Sequence, residues 1–80
     1  MILPISMKKL STLHTSIPHR IEKVDDSELK HRLYELGIFP NQTLQVVKRA
    51  PLGDPMMVSV EGQLVMLRLS EANLITIQEK

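Results

Sequence analysis

The side chains best suited to chemistry in this sequence are its three histidines, because neutral imidazole ligates transition metals. A helical ligand pair would stand four residues apart on one face. His14 and His19 are five apart with Pro18 between them, and His31 lies further along. No cysteine is present to complete a zinc set. The histidines are therefore expected to be scattered over the surface, and no metal site is assigned. Asp54, Glu61 and Glu71 offer carboxylates to a cation, but nothing in their spacing gathers them. Nucleophilic catalysis has no starting point either: the chain has no cysteine, no Gly-x-Ser-x-Gly elbow and no phosphate-cradling glycine loop. A chain of this size with three glycines also has little room for a ligand pocket of ~300 Å³. No catalytic residue, no cofactor and no enzymatic activity are expected.

The totals point the same way. Eighty residues make one small domain that buries only ~60% of its unfolded surface, without disulfides to help it. A formal net charge of +1 gives no electrostatic case for nucleic acid. One Phe, one Tyr and no Trp leave no platform for stacked bases. No apolar run approaches the ~20 residues of a membrane span, and the apolar start through Ile5 precedes the basic pair Lys8-Lys9, the reverse of a signal peptide. Residues 1–7 are expected to be a short N-terminal extension, with Met7 as a second start, and residues 8–80 a single domain. The cytoplasm is the expected location.

With catalysis set aside, the most instructive stretch is Arg49-Ala50-Pro51-Leu52-Gly53-Asp54-Pro55. Two prolines bracket a glycine and an aspartate, which is far more conformational instruction than a hairpin turn requires. The elements around it read as follows. Leu10 to Leu13 forms one helical turn, and residues 17–24 form a strand with Pro18 at its start. Leu29, Leu33 and Leu36 make one apolar stripe, giving a helix over about 26–36. Asp25 and Glu28 are spaced as a capping box, and Glu28 and Arg32 as an i, i+4 pair. Gly37 supplies a left-handed ending, with Ile38 folding back on Leu33. Pro40-Asn41 then centres a type II turn. Residues 43–49 form a strand, residues 56–60 and 63–68 form a hairpin about Glu61-Gly62, residues 69–73 make a turn or a single 3₁₀ turn, and residues 74–78 close the chain as a strand. Gly37, Pro40, Asn41, Pro55 and Gly62 are thus structural turn residues. The fold class is mainly β with one inserted α-helix: about five antiparallel strands, bent into a small barrel or two orthogonal sheets. Of the adjacent Met56 and Met57, one must face outward, because strand side chains alternate.

The run Arg32-Leu33-x-x-Leu36-Gly37-Ile38-x-Pro40, the strand to Val47 and Ala50-Pro51-Leu52-Gly53-Asp54-Pro55 together resemble the ferrous iron transport protein A (FeoA) family. Gly62, Leu67-Arg68, Glu71-Ala72 and the strand through Ile75 and Ile77 continue the pattern, so that the resemblance spans about residues 8–78. Asn41 and Thr15-Ser16 stand where the family usually carries glycine. The resemblance implies a cytoplasmic SH3-like β-barrel without enzymatic activity, acting with FeoB, a membrane ferrous iron permease that bears a GTPase domain. The alternative it implies is a divalent-metal-binding regulatory domain like the C-terminal SH3-like domain of DtxR-type repressors. The expected partner-binding residues are Pro51, Leu52, Gly53 and Asp54, joined by Tyr34 on the helix. Self-association through exposed sheet edges is a further expectation.

Overall fold

The computed structural model describes residues 6–14 and 16–79. Of the expected extension over residues 1–7, residues 1–5 lie outside the described residues, as does Thr15, whereas Ser6 and Met7 belong to a strand. Six strands and two short helices follow in the order β1 (Ser6–Lys9), a 3₁₀ turn (Leu10–Thr12), β2 (His19–Val24), α1 (Lys30–Glu35), β3 (Thr43–Arg49), β4 (Met56–Val60), β5 (Gln63–Leu67), α2 (Leu69–Ala72) and β6 (Ile75–Glu79). The strands form one antiparallel sheet in the order β1-β6-β2-β3-β4-β5. Register shifts between Ile21 and Lys23 and between Val46 and Lys48 bend it, since a bulge kinks the strand that carries it.

Alternation places the core on one face. Leu44 and Val46 of β3, Met56, Val58 and Val60 of β4, and Val65 and Leu67 of β5 are buried, as are Ile21, Ile75 and Ile77 from the other half of the sheet. Leu33 of α1, Ala72 of α2, Leu10 of the 3₁₀ turn and Leu13 just after it cover them, with Leu36, Leu69 and Leu74 packed at the margin. Each fully buried aliphatic side chain contributes roughly 1.5–3 kcal/mol of transfer free energy, which for so small a chain is most of what holds it folded.

Several expectations change. Among the described residues there are six strands, because Met7-Lys8-Lys9, which lacks any apolar alternation, is drawn into the sheet by pairing with β6. There are two α-helices, because residues 69–72 close a full turn, with Asn73 N–H donating to Leu69 O at 2.8 Å. The first helix spans Lys30–Glu35 and not 26–36. Its capping box does not form: the helix starts at Lys30 with Leu29 at its N-cap, and the Asp25 carboxylate instead accepts from Lys9 of β1. That hydrogen bond holds the Asp25 pKa below its ordinary value, with nearby Lys9 and Lys23 charge adding to it. Arg32 reaches Glu71 rather than Glu28, and the i, i+4 ion pair of this region is Lys30 with Asp26 at 3.0 Å. His19 is buried, with Nδ1 2.8 Å from Ile17 O, whereas His14 and His31 are exposed.

At residues 37–42 the chain turns sharply. Gly37 sits at φ +86°, with its N–H donating to Tyr34 O and Ile38 N–H to Leu33 O, both at 3.0 Å. This is a Schellman ending, and it drives Ile38 into the core. Asn41 follows Pro40 at φ +72°, a left-handed conformation that Asn tolerates better than most residues. Gln42 fastens the corner from inside: its Oε1 accepts from Phe39 N–H at 2.6 Å and its Nε2 donates to Gly37 O at 2.9 Å. The β4–β5 hairpin turns through Glu61 (φ +48°) and Gly62 (φ +86°), and the carboxylate of Glu61 accepts from Thr43 N–H.

Candidate partner-binding site

Loop 50–55 is built as a closed base with a projecting tip. Ala50 N–H donates to Pro55 O at 3.0 Å, and Gly53 N–H donates back to Ala50 O at 2.7 Å. Pro51 and Leu52 are therefore the central residues of a β-turn, with Gly53 beyond them at φ +88°. Pro51, Asp54 and Pro55 are exposed, and the Asp54–Pro55 bond is cis. Leu52 is 94% exposed, so it does not tuck into the sheet mouth. A leucine held outward on a hydrogen-bonded turn is ready to contact a partner with little further ordering.

Two anchors fix the loop to the body. Below it, Arg49 Nη2 donates to Ser11 O at 2.9 Å and also to Leu13 O, tying the end of β3 to the 3₁₀ segment. To one side, Asp54 Oδ1 accepts from Leu69 N–H at 3.2 Å, at the start of α2. That helix is in turn held by Glu71, which is buried: Oε1 accepts from Arg68 N–H at 2.9 Å and Oε2 accepts from Arg32 Nε of α1. A buried carboxylate persists only when its oxygens are satisfied, and here both are. Asp54, Glu61 and Glu71, the three carboxylates with potential for a cation, thus each accept from a backbone N–H. Among the described residues no group of three or more His, Asp or Glu could hold a metal ion.

The structure brings Pro51, Leu52, Gly53 and Asp54 together but gives Tyr34 other company. Its ring stacks on Phe39 at 5.1 Å, and Lys30 Nζ lies 5.5 Å from its centroid. The helix α1 meets the loop region through Arg32, which lines a depression of about 310 Å³ with Asp54, Pro55 and Glu71. On the other flank, Arg49, Pro51, Pro55, Met57 and Met66 line an apolar depression of about 290 Å³. There is thus more concave surface than so small a chain was expected to offer, although all of it is open. Sequence reasoning missed Arg32 as part of this surface and did not assign Arg49, within the loop stretch, or Met66, in the hairpin, to it. For Met66 a signal existed: Gln63-Leu64-Val65-Met66-Leu67 lacks the polar alternation that a strand with a solvated face should show.

This is the architecture of an SH3-like β domain, and comparison with known proteins makes the class specific. The family model described as the FeoA domain matches residues 8–79. The chain belongs to the FeoA family. Iron(II) transport protein A of Clostridium thermocellum is 36% identical with a TM-score of 0.82; the match covers 89% of this chain and 44% of that one, so this chain spans less than half of that protein's length. FeoA of Stenotrophomonas maltophilia, solved with zinc and described as a prokaryotic SH3 domain protein, is 30% identical with a TM-score of 0.73, over 89% of this chain and 94% of that one. A manganese-dependent transcriptional repressor is 15% identical with a TM-score of 0.85, over 99% of this chain and 45% of that one, a likeness of fold alone. Curated protein sequences gave no match.

Proposed function

We propose that this protein is a small cytoplasmic accessory module of ferrous iron uptake, with no enzymatic activity of its own. In this reading it binds the cytoplasmic part of a FeoB-type, GTPase-linked permease, and residues 8–80 act as one SH3-like unit whose bent sheet curls into a partly open barrel. Membership of the FeoA family and the relatives' names supply the process. The observation that carries the contact is Leu52, projecting from a turn whose base is hydrogen-bonded and whose flanks are anchored by Arg49 and Asp54. Pro51, Gly53 and Asp54 shape that projection; Tyr34, stacked on Phe39, stands apart from it on α1 and would touch the partner only as a separate point of contact. Binding to the purified cytoplasmic domain of the permease, measured by calorimetry, is expected to be lost in Leu52→Asp and weakened in Asp54→Ala, which unlatches the loop from α2. Unchanged affinity of both variants, with circular dichroism showing an intact fold, overturns the assignment.

A second reading, a divalent-metal-binding regulatory domain, draws on the zinc complex of the Stenotrophomonas relative and the fold shared with the manganese-dependent repressor. Calorimetry with Fe²⁺ or Zn²⁺ separates the two readings, since only this one requires the isolated chain to bind metal.

A further inference from the structure

We propose that β5 is a self-association edge: two copies of this chain pair their β5 strands antiparallel about a two-fold axis at Val65, and Leu64 of each copy faces Met66 of the other. Among the described residues the sheet has two outer strands, β1 and β5. Proteins protect such edges with charge, proline or bulges, because unpaired backbone groups recruit another strand. The β1 edge carries Lys8 and Lys9. The β5 edge, Gln63-Leu64-Val65-Met66-Leu67, carries no charge and no proline, and its register with β4 runs without a shift.

Backbone geometry selects the register. The two-residue turn at Glu61-Gly62 makes Val60 and Gln63 the closing hydrogen-bonded pair, and the antiparallel ladder then alternates. The N–H and C=O groups of Leu64 and Met66 accordingly point away from β4. Centring the pair on Val65 sets Leu64 opposite Met66 twice, so that all four outward groups on each strand find partners. Facing residues in such a pair lie on the same side of the sheet, so the buried Val65 of each copy stays on its core face. The side chains of Leu64 and Met66, 65% and 51% exposed, would cover each other.

Charge makes the strand complementary to its own antiparallel copy. Glu61 precedes β5 and Arg68 follows it, and both are exposed. In this register Arg68 falls opposite Gly62 of the second copy and beside its Glu61, at both ends of the interface. Glu61 Oε1 is engaged by Thr43 N–H, which leaves Oε2 for the guanidinium. An isologous contact of this kind closes after two copies.

Because the chain has no cysteine, introduced thiols report the register directly. The purified Leu64→Cys and Met66→Cys proteins, mixed in equal amounts and mildly oxidised, are expected to give the mixed 64–66 disulfide well above its statistical share. Sedimentation equilibrium of the unmodified chain is expected to show a monomer–dimer equilibrium, weakened about tenfold or more by Leu64→Lys and also weakened by Arg68→Glu, with circular dichroism unchanged. A unmodified chain that stays monomeric at every concentration, a dimer indifferent to Leu64→Lys, or a statistical distribution of disulfides overturns the proposal. No permease enters these experiments, so their outcome is independent of the partner reading above.

Discussion

The corner at residues 37–42 and the loop at residues 50–55 are written in the same vocabulary and do opposite things. Each contains a glycine at positive φ, Gly37 at +86° and Gly53 at +88°, together with proline and a short polar side chain that bonds to backbone. In the corner, the residue after the glycine, Ile38, is fully buried, and Gln42 spans the turn from within. In the loop, the residue before the glycine, Leu52, is almost fully exposed, and the polar side chain, Asp54, reaches sideways to α2. Backbone restriction is thus common to both, and the direction of one aliphatic side chain separates a buried corner from an exposed projection.

The sharpest way to break this comparison is to truncate both aliphatic residues. Ile38→Ala is expected to cost roughly 2–5 kcal/mol, because it removes a buried side chain and leaves a cavity. Leu52→Ala should stay within about 0.5 kcal/mol, as surface substitutions do. Urea unfolding measures both, and similar losses would mean that Leu52 is a core residue after all. The next effect should be equal in the two turns. A Cβ at Gly37 meets nothing within 4 Å and one at Gly53 meets only Arg49 Nη1 at 4.0 Å, so Gly37→Ala and Gly53→Ala should each cost about 1–2 kcal/mol from left-handed strain alone. A markedly larger loss at either site would show that space, and not backbone conformation, requires the glycine. The smallest difference concerns the polar ties. Gln42→Ala and Asp54→Ala should each lose about 1 kcal/mol. Of these two, only Asp54→Ala should also affect permease binding, because the loop it releases carries Leu52.

Much of the corner was legible in advance. Gly37, Pro40 and Asn41 act through sterics that reach only a few residues, and Gly62 in the hairpin does likewise. The strands at residues 43–49 and 56–60 followed from β-branched, alternating sequence. The candidate site was legible only as a loop. Whether Leu52 turned in or out could not be read from Pro51 and Gly53, since the same turn serves either direction. The capping box at Asp25 and Glu28 did not form: the helix starts only at Lys30, and the Asp25 carboxylate turns to Lys9, sixteen residues away in sequence.

The sequence by itself determined where the chain turns, which side of each strand is apolar and, through its ordered run of short motifs, the family to which it belongs. Those properties depend on φ preferences and alternation within a few neighbouring residues. Only the tertiary structure decided that Ser6–Lys9 joins the sheet beside β6, that Arg32 meets Glu71, that Arg49 anchors residues 11 and 13, and that β5 is left at an edge. Each of these is a pairing or a position set by the order of the strands. It depends on which distant segments pack around one shared core, and no local rule of the chain encodes that.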